Sequence, residues 1–368
     1  MKIALNAWFA DSVSTGSGQY TRNLVQALQE VAPDVHIECV SPKSRGDLAK
    51  VQFEQIDFPR AATRMNADVA FVPYWAPPLH CAVPVVVTIH DVISLALKEY
   101  RGKLHHRAYS ALVRAGAANA SAILTDSEHS KRDIVQHLPV RESNITVVPL
   151  AAEARFQPAI LEAELERVRE KYALPEKFAL YLGGFDRRKN IETVMQIYVW
   201  AGEPIGEECP LVLNGTPDQL AYTATGQRIT LQHMAQTLEI EDEVRFMGFV
   251  DEADKPAVLA AARVFLFPST YEGFGLPVLE AMACGTPVIG SNASSIPEVV
   301  GNAGILVDPM DARRMAGATI ALATEDAYYQ KMRQRGLMQA AQFTWQRTAI
   351  ETLAVLRKSM KRSMRDEV

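Results

Sequence analysis

The chain has 368 residues, 48% of them apolar and 22% charged, with a formal net charge of −5. At about 150 residues per domain there is room for two globular cores, and the acidic balance argues against nucleic acid as a partner. The four cysteines, Cys39, Cys81, Cys209 and Cys284, are far apart and lack zinc spacing, so they read as buried apolar residues of a reducing compartment.

Met1-Lys-Ile-Ala-Leu-Asn6 leads directly into a strand, Lys2–Asn6, with no charged and apolar leader ahead of it, so no signal peptide is expected. Gly16-Ser-Gly18 then precedes a helix over Gly18–Val31. Glycines there suit the close approach of a phosphate or substrate, or serve only a tight strand–helix loop; the full dinucleotide spacing is absent. Strands follow at Val35–Val40, Val69–Val72 and Val85–Ile89. The apolar run Cys81–Leu97 is broken by Pro84, His90 and Asp91, which makes it too short and too polar to span a bilayer. His90 ends the strand Val85–Ile89. Its ring can donate to a sugar hydroxyl or a leaving phosphate, or be a structural imidazole held by Asp91. A helix over Lys103–Ala118, a strand at Ala122–Asp126, a helix over Ser127–Leu138 with a cap-like Ser127, and a strand at Ile145–Val148 complete the first half. Alternating strands and helices with Val- and Ile-rich runs predict a parallel, doubly wound sheet buried on both faces.

Ala151 to Pro175, with a charged helix Glu162–Lys171, reads as the connection. The pattern then restarts, with strands at Phe178–Leu182, Leu211–Asn214, Val244–Phe246, Val264–Phe267, Pro287–Gly290 and Ile305–Val307 and helices between them. The expected domains are 1–165 and 175–345. Glu325 to Arg365 predicts one or two long helices, the last over about 346–368. Gly183-Gly184 follows the strand Phe178–Leu182 and precedes Asp186-Arg-Arg-Lys-Asn190. Arg188 and Lys189 there can neutralise a diphosphate leaving group, or form a solvated basic loop. Asn214-Gly215 can line a base or phosphate pocket or simply turn the chain. Phe249-Val250 can border a nucleobase or belong to the core.

Glu272-Gly-Phe-Gly-Leu-Pro-Val-Leu-Glu280 is the most informative segment. It follows the strand Val264–Phe267 with a loop holding a carboxylate, Gly273, Phe274 and Gly275. A helix is expected to start near Pro277 with Glu280 in its first turn. Its N-terminus suits a phosphate, and the two carboxylates suit polyols on either side of it. As structural residues, Glu280 would stabilise the helix dipole and the glycines would serve the turn. No Asp-x-Asp pair follows a strand, so a metal-free mechanism is expected, with no cofactor and no metal ligands. The basic stretches Lys98–Arg114 and Arg357–Arg365 can touch an anionic membrane or form solvated helix faces.

Together these residues resemble the retaining glycosyltransferases of family 4, of GT-B fold. The resemblance rests on the segment Glu272–Glu280 continuing as Ala-Met-Ala-Cys-Gly-Thr-Pro-Val-Ile. It also rests on Ser291–Pro309, Gly16-Ser-Gly-Gln-Tyr20, Thr88-Ile-His-Asp91, Ser127-Glu-His-Ser-Lys-Arg132 and Val148-Pro-Leu150. It implies an α/β architecture of two Rossmann-like domains with parallel sheets facing across a cleft, and a last helix that crosses back to the N-terminal, acceptor-binding domain. It further implies that Glu272 contacts the donor sugar, Glu280 the ribose, and the Phe274-Gly275-Leu276 backbone the phosphate and sugar. Arg188 and Lys189 would hold the diphosphate, with His90 near the donor sugar. Many members carry an arginine where this chain has Gly184, which leaves diphosphate binding to Arg188 and Lys189. The segments Gly183–Asn190 and His90–Ser94 look most like mannosyl- and rhamnosyl-transferring members of polysaccharide assembly.

The expected activity is that of a hexosyltransferase moving a sugar, first mannose from GDP-mannose, to a glycan or lipid-linked acceptor with retention. A cytoplasmic location at the inner face of the membrane fits. A sugar-nucleotide epimerase and a non-catalytic scaffold of the same fold are the alternatives; the set His90, Arg188, Lys189, Glu272 and Glu280 argues against a scaffold.

Overall fold

The computed structural model describes residues 1–12, 15–100 and 104–366, the side chains of 104–106 and 361–366 excepted. The chain divides into two units, Met1–Ala151 with Phe343–Val368, and Ala152–Gln342.

In the first unit six parallel strands form one sheet: β1 (Lys2–Asn6), β2 (His36–Val40), β3 (Val69–Val72), β4 (Val85–Thr88), β5 (Ala122–Thr125) and β6 (Ile145–Val147). Their order is β2-β1-β3-β4-β5-β6. Strands β3, β4 and β5 are buried along their whole length, which is why they read as unbroken apolar runs. The chain leaves β1 toward β2 and returns on the other side as β3, so the order reverses between β1 and β3. That is the switch point at which open α/β sheets bind ligands.

The helix Gly16–Val31 begins two residues before the expected start, because the Thr15 hydroxyl caps it by accepting from the Gly18 amide at 3.1 Å. Its buried face, Tyr20, Leu24, Ala27 and Leu28, recurs at three- and four-residue steps. The C-terminal helix Trp345–Asp366 packs against that helix and against β3, β4 and β5. The Thr348 hydroxyl donates to the Pro149 carbonyl at 2.7 Å, and Trp345 lies 6.2 Å from the Tyr20 ring. Arg101 and Lys103 of the basic stretch lie outside the described residues, as do the side chains of the tail beyond Met360. No helix among the described residues is long and apolar enough to cross a membrane.

The second unit holds β7 (Ala179–Tyr181), β8 (Leu211–Leu213), β9 (Leu220–Tyr222), β10 (Arg228–Thr230), β11 (Val244–Phe246), β12 (Val264–Phe267), β13 (Val288–Ser291) and β14 (Ile305–Val307). Its six-stranded sheet is parallel in the order β11-β8-β7-β12-β13-β14, so its own switch point lies between β7 and β12. The antiparallel hairpin β9–β10 was not expected from the sequence; its strands are three residues each, too short to show a clear alternation. The segment expected as a connection also differs. The helix Glu162–Tyr172 belongs to the second unit, where the Tyr172 hydroxyl and the Lys171 ammonium both reach Asp254 Oδ2 at 2.6 Å.

Candidate functional site

The second unit brings Arg188, Lys189 and Glu272 together at the switch point. The loop after β7 carries Gly183 to Asn190 and the loop after β12 carries Pro268 to Gly275. Asn190 ties the two loops at their base, its side-chain amide donating to the Pro268 carbonyl at 3.2 Å and to the Pro309 carbonyl at 2.7 Å. Across this seam Glu272, which is 9% exposed, meets both cations of the first loop. Lys189 Nζ is 2.6 Å from Oε1 and Arg188 Nη1 is 2.9 Å from Oε2. Arg188 Nε also lies 3.3 Å from Asp186. Arg188 and Lys189 therefore form neither a solvated loop nor a bare cationic patch. They grip the loop carboxylate, so any diphosphate must share them with Glu272.

The backbone around Glu272 is fixed as tightly as its side chain. Its amide donates to Ser294 Oγ at 2.9 Å, and the Ser295 hydroxyl reaches the carbonyls of Glu272 at 2.9 Å and Phe274 at 2.7 Å. Gly273 and Phe274 are buried in this turn. Gly275 ends it at φ 115°, where a Cβ would stand 2.8 Å from the Ile296 methyl group. Only glycine fits that conformation without strain. The helix Leu276–Ala283 then starts with no side-chain cap and with proline in its first turn. An uncapped N-terminus of this kind favours an anion.

Glu280 is the fifth residue of that helix, in its second turn rather than its first. Burial pushes its carboxyl up to about 7, against the opposing pull of Lys255 and Arg155. A first-turn carboxylate at the dipole would be stabilised as the anion, so a role as a simple dipole partner does not fit.

Asn214 turns out to be a clamp. Its side-chain oxygen accepts from the Gly183 amide and its nitrogen donates to the Gly183 carbonyl, both at 3.0 Å. Its amide is spent on shaping the loop after β7 and leaves little to offer a ligand. Gly215 pairs with Gly248 through amide–carbonyl bonds of 2.7 and 3.1 Å, which brings the ends of β8 and β11 together. Next to this bridge Phe249 is exposed and Val250 partly buried, so Phe249 is not part of the core.

In the first unit His90 follows β4, and Asp126 follows the neighbouring strand β5. His90 Nδ1 is 2.8 Å from Asp126 Oδ2. Asp91, the partner considered from the sequence, instead accepts from the Ile93 amide at 3.0 Å. Burial alone would lower the imidazole, but the Asp126 carboxylate overrides it and holds the ring above its ordinary value. Tyr20 stands edge-on to the ring at 4.7 Å, with its hydroxyl 3.1 Å from Thr88 Oγ1. Gly18 is buried against the Phe9 and Ser12 carbonyls, where a Cβ would not fit. Gly18 thus serves the loop, whereas Gly16 is exposed with open space around it. Asp126, Tyr20, Ser294 and Ser295 were missing from the expected site. Their common signal is position just beyond, or against, a strand's carboxyl end. A cavity of about 1230 Å³, lined by Arg60, Arg64, Val85 and Ser121, opens at the amino-terminal ends of β4 and β5 and holds none of these residues.

Comparison with known proteins decides the family. The model described as Glycosyl transferases group 1 matches residues 163–338, and that described as Glycosyltransferase Family 4 matches residues 53–154. The O-antigen chain mannosyltransferase B of Escherichia coli is 34% identical over 269 residues, 73% of this chain and 68% of that protein. The chain is a family 4 glycosyltransferase. The serotype-specific mannosyltransferase WbdA of Escherichia coli is 31% identical over 270 residues, 72% of this chain. That relative is much longer, and the chain spans 32% of it. Among solved structures, Anabaena HepE in complex with UDP and glucose superposes with a TM-score of 0.69 at 16% identity, covering 97% of this chain and 100% of that one. The two parallel sheets of this glycosyltransferase are thus those of the GT-B fold.

Proposed function

We propose that this glycosyltransferase moves mannose from GDP-mannose to a hydroxyl of a glycan or lipid-linked acceptor, with retention and without a metal. The observation that carries the mannosyl reading is the 34% identity to an O-antigen chain mannosyltransferase over most of the chain. The second unit supports a donor site. The uncapped helix start at Gly275–Leu276 suits the diphosphate. Glu280 suits the ribose diol, whose hydroxyls would supply the hydrogen bonds that its ionised form lacks.

Glu272 is proposed to grip the sugar hydroxyls. A carboxylate held by both an ammonium and a guanidinium is a weak nucleophile, which favours a positioning role over a covalent one. The acceptor oxygen then attacks the anomeric carbon on the face that the diphosphate leaves, and the departing phosphate oxygen takes its proton. Arg188 and Lys189 stabilise the charge that grows on that oxygen. His90, held by Asp126, is the hydrogen-bond donor that the first unit would offer to substrate. Contact with an anionic membrane through the basic stretches belongs to the same proposal.

The test is incubation of the purified protein with GDP-, UDP- and ADP-sugars and a mannosyl acceptor, with and without EDTA, followed by NMR of the product. An α-linked mannoside formed from GDP-mannose in EDTA is expected. Turnover of UDP-sugars alone would overturn the donor, a β-linked product the stereochemistry, and dependence on a divalent ion the metal-free step. Isomerised donor without acceptor would point to an epimerase.

A further inference from the structure

The switch point of the first unit, between the carboxyl ends of β1 and β3, carries a polar cluster that the donor chemistry does not use. Asn6 is the last residue of β1, and Tyr74 lies two residues beyond β3. The Tyr74 hydroxyl is 3.1 Å from both Asn6 Oδ1 and Glu54 Oε1. Glu54 is 0% exposed and belongs to a π-helical stretch, Phe53–Asp57. Such distortions cluster at functional positions. The Tyr109 hydroxyl donates to Glu54 Oε2 at 2.8 Å. Lys50 Nζ lies 3.4 Å from Glu54 and 2.9 Å from the Tyr109 hydroxyl. The same ammonium stands 5.6 Å from the centre of the Phe9 ring, 5.6 Å from Tyr74 and 4.7 Å from Tyr109.

Burying a carboxylate costs several kcal/mol even when it is paired, and an apolar side chain of like volume generally serves stability better. Asn6 Nδ2 is also buried without an acceptor. A polar floor with an unused donor, lying at a switch point, needs a reason beyond packing. Above that floor Phe9, Lys50 and Tyr109 are only partly buried. Aromatic faces beside a fixed hydrogen-bond donor match a pyranose, which has apolar C–H faces and a rim of hydroxyls.

We propose that this cluster is the subsite that receives a hexose ring of the glycan acceptor. Phe9 and Tyr109 carry the ring faces, and Lys50 Nζ donates to a ring hydroxyl. Glu54 is a positioning residue that fixes Lys50 and Tyr109 from beneath. The inference rests on the glycosyltransferase reading but not on the identity of the donor.

The test is saturation-transfer NMR of the full-length protein with α-mannobiose as the probe, and calorimetry with GDP run in parallel. Wild type and Lys50→Arg are expected to bind the disaccharide. Lys50→Met and Glu54→Gln should weaken it about five-fold or more, the loss of one charge-assisted hydrogen bond. GDP affinity should stay within about two-fold throughout, since the variants lie in the other unit. Tyr109→Phe, which removes a single oxygen, keeps the test open if a core variant fails to fold. Absence of mannobiose binding to wild type, or equal binding by every variant, overturns the inference while leaving donor turnover intact. Mannobiose binding that responds to Lys50 in a protein that turns over no nucleotide sugar would instead overturn the proposed function.

Discussion

Lys189 Nζ lies 2.6 Å from Glu272 Oε1, although the two residues are 83 positions apart and sit on loops that leave different strands. Those strands, β7 and β12, are neighbours at the point where the sheet order reverses. The contact joins a cation proposed to serve the leaving group to a carboxylate proposed to hold the sugar, so on that proposal a change at either residue disturbs both.

Glu272→Gln keeps the shape but removes the charge that holds Lys189 and Arg188. Unfolding by urea should show a loss of roughly 2 kcal/mol, the scale of a charge-assisted bond made neutral. Transfer should slow at least about ten-fold. Intact-mass spectrometry with a slow donor should show no sugar attached to the wild-type enzyme; an adduct on Glu272 would sink the positioning role.

Asn214→Ala frees the backbone of Gly183. Two hydrogen bonds of 3.0 Å are lost, one at the amide and one at the carbonyl of that residue. The melting temperature should fall, consistent with a cost of about 1–3 kcal/mol. GDP affinity, read by calorimetry, should drop as well, because the loop that carries Arg188 loses its anchor. Unchanged GDP affinity would show the clamp to be structural only.

Glu280 gives a pH signature. Its carboxyl is raised from 4.5 to about 7, so the folded state holds this proton more tightly than the unfolded chain does. Its stabilising effect is complete below the unfolded value and is lost as pH rises through about 7. Glu280→Gln stays neutral and should match wild type near pH 5, yet exceed it near pH 8 by no more than about 3 kcal/mol. Thermal melts at both pH values check this, and a variant less stable than wild type at the higher pH would refute it. Nucleotide affinity should fall in the same variant.

His90 and Asp126 should behave in the same direction for a different reason. The imidazole is held above its usual 6.5, so the pair stabilises fully below that value and less as pH climbs past the raised one. Asp126→Asn should therefore cost roughly 1–2 kcal/mol more at about pH 6 than at about pH 9. Urea midpoints at the two pH values decide; a pH-independent gap would show that the ring is neutral throughout.

Much of this was legible in the sequence. Every strand of the two large sheets is anticipated; the inner ones, such as β3, β4 and β12, announce themselves as apolar runs because they are buried along their whole length. The segment from Glu272 to Glu280 stood out because a carboxylate, two glycines and a helix start coincide there. What escaped was partnership across the sheet. Asp91 adjoins His90 in sequence, but a side chain at a strand end faces the end of the next strand, and that strand supplies Asp126. Asn214-Gly215 suggested a turn or a pocket, and nothing local told that its amide would close on Gly183. The helix starts at Leu276, one residue before Pro277, which moves Glu280 from the fourth position to the fifth, and nothing in the local sequence signals its desolvation.

The helix Trp345–Asp366 completes the hydrophobic cover of the first unit, yet it follows the whole of the second unit in the chain. Synthesis therefore delivers the parts out of order. Residues 1–151 lack a wall of their core until the helix Trp345–Asp366 is made, while residues 152–342 form a contiguous unit that can close sooner. For some seconds on the ribosome, at about 5–20 residues per second, the apolar faces of Leu24 and Leu28 wait beside an unfinished sheet. A nascent chain stopped short of Phe343 would hold a finished second unit tethered to an incomplete first one. Damage to the helix Trp345–Asp366 should therefore be felt first in residues 1–151.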